Sequence, residues 1–166
     1  MILATDVKYD EQEGTALVAG VLFENWGDEK PVRTYTVTVD SIEEYVSGEF
    51  YRRELPCMIA LVEAVEEVID LIVVDSYVDL GDDHPGMGRY LFNHLNGAVP
   101  VVGVAKSRFH AAKGIEILRG ESTKPLHVTS AGCDLLDSAE SVRAMHGEFR
   151  MPTLLKLADA LTRGNA

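Results

Sequence analysis

Residues 70–78 read DLIVVDSYV, and this stretch decides the fold. It begins as an almost continuous apolar, β-branched run, the pattern of a strand covered on both faces. The residues before it, 50–68 (FYRRELPCMIALVEAVEEV), carry Leu55, Ile59, Val62 and Val65 at helical spacing, continued by Ile69. They predict a helix whose regular part starts close to Pro56. A buried strand entered from such a crossover helix pairs parallel with an earlier strand through a right-handed connection. Three earlier runs are β-prone. Residues 1–9 (MILATDVKY) and 14–23 (GTALVAGVLF) are joined by a short segment ending in Gly14, which suits a hairpin. Residues 31–40 (PVRTYTVTVD) alternate, with Val32, Thr34, Thr36 and Thr38 on one face and Arg33, Tyr35, Val37 and Val39 on the other, as in a half-buried strand. After residue 78 come a Gly/Asp-rich loop (80–88, LGDDHPGMG), a helix over 88–95 and a buried strand over 99–105. Short strands over 115–119 and 125–129 and closing helices over 134–146 and 152–163 follow. The expectation is one α/β domain spanning 1–166, a mixed sheet of three antiparallel strands followed by parallel strands, with helices on both faces.

The composition agrees with one ordinary globular domain: 166 residues, 46% of them hydrophobic, are enough to bury a core without cross-links. The two cysteines, Cys57 and Cys133, form no CxxC pair, so no zinc or redox motif is present. Reduced thiols and a cytoplasmic setting are expected. No apolar run approaches the roughly 20 residues of a membrane span, and residues 1–10 carry no secretory signal pattern. The net charge of −12 weighs against a free-standing nucleic-acid binder, because phosphate contacts from Lys and Arg supply much of such affinity. An acidic chain can still bind nucleic acid through a local basic patch and a metal ion.

Three acidic positions stand out. Asp6 lies inside an apolar strand and Asp75 ends LIVV; an unpaired buried charge is costly, so each needs a partner or a metal. If their strands are neighbours, the two carboxylates emerge at one edge of the sheet and repel unless a cation lies between them. Oxygen ligands of this kind favour Mg²⁺ or Mn²⁺. The plain alternative for each is a strand-end aspartate that caps a loop or pairs with lysine. Glu54, between Arg53 and Leu55 at the opening of a helix, suits the helix dipole on its own and gains interest only beside Asp6 and Asp75.

The segments DVKY (6–9), FYRRELP (50–56), VVDS (73–76), HPGMG (84–88), VPVVGVAKSRF (99–109), KPLHVT (124–129) and RMPTLLKLADAL (150–161) occur in that order. Together they resemble the endonuclease V family, whose members cut nucleic acid near deaminated adenine (inosine). The resemblance spans nearly the whole chain. It implies a ribonuclease H-like fold and Mg²⁺-dependent hydrolysis of a phosphodiester bond, with Mn²⁺ as an alternative ion, at the second bond 3′ to the inosine. Carried over by motif, Asp6, Asp75 and Glu54 would be the metal ligands, Lys106 would sit near the scissile phosphate, and His84 would be a further active-site residue. A monomer acting on DNA or RNA is expected.

The sequence departs from the family in three places. The base-wedge loop, approximately Pro-Tyr-Ile-Pro-Gly in the family, reads EYVSG (44–48); Tyr45 and Gly48 stay as substrate-binding candidates, and both stiffening prolines are gone. The loop between Asp75 and His84 is three residues longer than in the family, holds Asp79, Asp82 and Asp83, and has Gly86 where the family has arginine. The family's histidine after the KPLYVS strand is absent, leaving Cys133 or Asp134 at that place. The metal-binding half of the site is thus expected to be kept and the base-recognising half rebuilt, which leaves open a relative that binds nucleic acid or another ligand without cutting.

Overall fold

The computed structural model describes residues 1–164. Its centre is a seven-stranded mixed sheet of order β3-β2-β1-β4-β7-β9-β8. Strands β1 (Ile2–Asp10), β2 (Thr15–Phe23) and β3 (Arg33–Asp40) form the expected antiparallel meander. Helix α1 (Tyr51–Ala64) then crosses over to β4 (Leu71–Val74), which pairs parallel with β1. A small ribbon of β5 (Asp79–Gly81) and β6 (His84–Pro85) and helix α2 (Met87–His94) lead to β7 (Val101–Ala105), parallel to β4. Beyond β7 the direction reverses: β9 (Leu126–Ala131) runs antiparallel to β7, and β8 (Ile115–Ile117) antiparallel to β9. The parallel part of the sheet is therefore confined to β1, β4 and β7. Helices α3 (Leu135–Arg143) and α4 (Thr153–Thr162) close the chain.

The sheet is covered on both sides, which is why β4 and β7 are apolar throughout. On one face Leu3, Val18, Ile72 and Val101 pack against Cys57, Met58 and Leu61 of α1 and Leu91 of α2. On the other, Ala4, Val21, Val73 and Val102 pack against Val142 of α3 and Leu154, Leu155 and Ala158 of α4. Both cysteines are free thiols.

Three boundaries differ from the sequence expectation. Helix α1 starts at Tyr51, ahead of Pro56, because the Arg53 and Glu54 amides already find the Phe50 carbonyl. It ends at Ala64 rather than Val68: the Tyr35 hydroxyl accepts from the Glu66 amide and donates to the Glu67 carboxylate, and Val65 turns extended. The run 70–78 is a strand only to Val74, since the Val78 amide turns away to donate to the Thr129 hydroxyl at 2.9 Å. That bend leaves Asp75 at the strand's free end.

Candidate active site

Register decides which side chains meet. Ala4 lies opposite Val73, and Val73 opposite Val102, all three facing the α3/α4 side. Side chains alternate along a strand, so Asp6, Asp75 and Lys106 share that face where β4 and β7 end. They line one cleft with Val104, Leu155 and Asp159 of α4. Its free volume of about 20 Å³ suits a single water or ion.

Asp6 and Glu54 are both pushed toward their protonated forms. Asp6 accepts from the Thr162 hydroxyl of α4 at 2.9 Å. Burial still raises its pKa to about 6, aided by the charges of Asp75 and Asp159 and opposed by Thr162 and Lys106. Glu54 comes from α1, on the opposite side of the sheet, and is 7% exposed. Burial, then Asp75, then Asp6 raise it to about 8. Its Oε2 is buried and has no hydrogen-bond partner. A buried polar atom without a partner is rare, and such an atom among mutually repelling carboxylates marks a place for a proton or a cation. Behind Glu54, burial and the Glu54 charge raise Tyr9 above an ordinary phenol, and the Arg53 guanidinium lies 3.9 Å from the Tyr9 ring centre.

Lys106 Nζ donates to Asp75 Oδ2 at 3.1 Å, so Asp75 is paired with lysine, the plain alternative for a strand-end aspartate. The Lys106 main chain is fixed as well: Arg150 donates to the Lys106 carbonyl, and also to those of Lys124 at 3.0 Å and Pro125 at 2.8 Å. Among the described residues, no three His, Cys, Asp or Glu side chains are drawn together closely enough to hold a metal as they stand. The donor set is nonetheless all oxygen, with charge to spare and one oxygen unsatisfied, as a hard divalent cation requires.

Asp79, the other aspartate near the strand end, is engaged elsewhere, its two oxygens accepting from Arg89 Nε and Nη2 at 3.1 and 2.8 Å. His84 is exposed on the β5–β6 ribbon and does not line the carboxylate cleft. Tyr45 is 61% exposed on the 41–50 loop, 6.3 Å edge-on from the Phe50 ring. Gly48, at φ +80°, opens a second, apolar cavity of about 150 Å³ with Phe50, Ser76, Tyr77, Gly86 and Met87. Asp134 is the N-cap of α3, accepting from the Asp137 amide at 2.9 Å. It follows Ala131, which pairs with Val101 at the start of β7, so Cys133 and Asp134 lie at the opposite end of the sheet from Asp75 and Lys106. Asp159 carries no mark in the sequence. It is one acid on an amphipathic helix, and only its placement three residues before Thr162, on the α4 face toward β1, distinguishes it from a solvated side chain.

A family model described as endonuclease V matches residues 1–130. The chain belongs to the endonuclease V family. Its fold is ribonuclease H-like, as in the endonuclease V structures it resembles. With endonuclease V from Streptomyces avermitilis it shares 26% identity at a TM-score of 0.78, covering 98% of this chain and 79% of that one. Human endonuclease V gives 20% identity and a TM-score of 0.76, over 98% and 82% of the two chains. The Ciona intestinalis endonuclease V, solved with a 23mer DNA containing an inosine followed by a ribo-adenosine, gives 18% and 0.76, over 98% and 83%. Direct comparison with curated proteins gives no match. In this endonuclease V family member, no described helix is long and apolar enough to cross a membrane.

Proposed function

We propose that this chain is a divalent-metal-dependent endonuclease that hydrolyses a phosphodiester bond near a deaminated base, inosine, in DNA or RNA. One observation supports the reading: Glu54 is buried with one oxygen unpartnered, and the charges of Asp75 and Asp6, from two strands, act on it. Asp6, Asp75 and Glu54 are the residues that would hold Mg²⁺ or Mn²⁺, with Asp159 beside them. When bound, the ion would lower the pKa of a water to make a nucleophile and neutralise charge on the phosphate.

The chain's own residues supply the rest. Lys106, held at its carbonyl by Arg150, presents a compact positive charge to a phosphate oxygen as it gains charge. The apolar cavity between Gly48, Phe50 and Gly86 offers an unpaired base a place out of the stack; Tyr45 lies edge-on to its Phe50, and His84 precedes its Pro85. Placement in the cytoplasm and action as a monomer belong to the same reading.

A second reading has its own observation. Asp75 is paired with Lys106 and no metal-ready group of three exists among the described residues, as in a relative that binds nucleic acid without cutting it. Labelled single- and double-stranded DNA and RNA with one inosine, incubated with Mg²⁺, Mn²⁺ or EDTA, separate the two. We expect metal-dependent cutting 3′ to inosine, lost in Asp6→Asn and reduced about 10²–10³-fold in Lys106→Ala. Strand binding without cutting under any ion favours the second reading.

A further inference from the structure

A third cavity lies beyond Lys106 and takes no part in the site described above. Its volume is about 210 Å³, and Tyr77, Arg108, Phe109, His110, Glu116 and His127 line it. That is below the roughly 300–1,000 Å³ of sites for drug-sized ligands and suits one planar heterocycle. The rings form a continuous set: Phe109 stacks on His110 at 5.6 Å, and Tyr77 lies 6.3 Å from Phe109 and 6.2 Å from His127. Phe109 is 41% exposed, an aromatic face open to solvent at the mouth. The wall is polar. His127 is 8% exposed, and its Nδ1 faces Glu116 Oε1 at 3.7 Å, so a donor and an acceptor sit side by side.

The mouth is fixed to the carboxylate cleft. The Tyr77 hydroxyl donates to the Ser107 carbonyl at 2.7 Å and accepts from the Phe109 amide at 3.0 Å, fixing the turn directly after Lys106. Three residues span at most about 10 Å. Phe109 is thus within reach of the nucleotides next to any phosphate that Lys106 touches, and Arg108 supplies a second cation on the way.

We infer that this cavity receives a nucleobase of the bound strand adjacent to the scissile phosphate, stacked on Phe109 and read at its edge by His127 and Glu116. The inference rests on the nucleic-acid reading above and adds to it a second base subsite, across Tyr77 from the Gly48–Gly86 cavity. Stacking of an unpaired base on an aromatic face is sequence-tolerant, and the His127–Glu116 pair adds an edge that can discriminate.

The test uses the Asp6→Asn chain, which keeps the strand intact, and single-stranded inosine oligonucleotides carrying 2-aminopurine at successive positions on either side of the scissile bond. We expect quenching at one position. Phe109→Ala in the same background abolishes it and weakens binding about 5- to 100-fold, the loss of one base–aromatic stack. Phe109→Trp restores both, and circular dichroism shows each variant folded. Free AMP leaves the His127 ring signals unmoved up to millimolar concentration. Fluorescence that stays bright at every position, or binding by Phe109→Ala equal to its parent, overturns the subsite even if the unmutated protein cuts inosine strands. Saturation by micromolar AMP overturns it in favour of a free nucleotide. Phe109-dependent quenching in a protein that never cuts upholds the subsite and removes only the nuclease reading.

Discussion

Glu54 is the residue at which the chemistry and the stability of this chain meet. It is buried, one oxygen has no partner, and its pKa is raised to about 8, while that of Asp6 is raised to about 6. A carboxyl whose pKa rises on folding binds its proton more tightly in the native state. Its contribution is complete below the unfolded value, near 4, and is lost as pH climbs through the folded value. The metal-free protein should therefore lose stability from about pH 4.5 to pH 8, through Asp6 and Glu54 together up to about pH 6 and through Glu54 alone above it. Glu54→Gln, which keeps the shape and removes the titration, should flatten the upper part of that slope and melt higher than the parent at pH 8. Thermal melts in EDTA across this range check it; a Glu54→Gln slope equal to the parent's between pH 6 and 8 would show that Glu54 is not held protonated. The fourth acid in the area, Asp159, could not be found by the same sequence logic. Asp6 and Asp75 are conspicuous because each interrupts an apolar strand, whereas an acid on an amphipathic helix is unremarkable until the helix is docked.

At the scale of elements, the site depends on how tightly β7 approaches the turn after Asp75. Gly103 sits in β7, and a Cβ built there would lie 2.4 Å from the Ser76 carbonyl oxygen and 2.6 Å from the Thr129 hydroxyl. Gly103→Ala has to push that turn away, and with it Asp75, the Tyr77 hydroxyl and the Val78–Thr129 hydrogen bond. Overpacking of this kind costs about 1–3 kcal/mol. We expect Gly103→Ala to be destabilised by that amount in urea melts and to cut inosine strands more slowly than its stability loss explains, through displaced Asp75. Wild-type stability and cutting would show that the turn is not fixed by β7. The strands of the meander and the parallel trio were legible in the sequence because two-fold alternation and doubly covered apolar runs are strong signals. The β5–β6 ribbon was not: its residues, 79–85, are polar and glycine-containing, and the ribbon exists because Asp79 is drawn to Arg89 and Gly86 packs against the Tyr77 and Val78 carbonyls. The antiparallel return of β9 was also hidden, since a short apolar strand carries no mark of direction.

For the molecule as a whole, the carboxylate cluster joins parts of the chain far apart in sequence: β1, the first turn of α1, the end of β4 and the last turn of α4. The site thus forms only in the folded chain. Among the described residues, Glu54 is pushed toward its protonated form, Asp6 accepts from a hydroxyl, Asp75 pairs with a lysine and Asp159 with Arg163, in a chain of net charge −12. An ion bound there would stabilise the entire domain, by about 2.7 kcal/mol at a hundredfold excess over Kd. The departures of the sequence from its family pattern fall outside this cluster. Asp134 caps α3 at the far end of the sheet, and the altered wedge and His84 ribbon lie around the apolar cavity. Metal binding at this cluster is tested by calorimetric titration of Mn²⁺ into the protein at pH 8, repeated with Asp6→Asn and Glu54→Gln and in two buffers of different ionisation enthalpy. We expect saturable binding that releases a proton in the parent, weakens at least about tenfold in Asp6→Asn, and loses the proton release in Glu54→Gln. Absence of binding, or binding that neither substitution alters, would show that these carboxylates hold no metal.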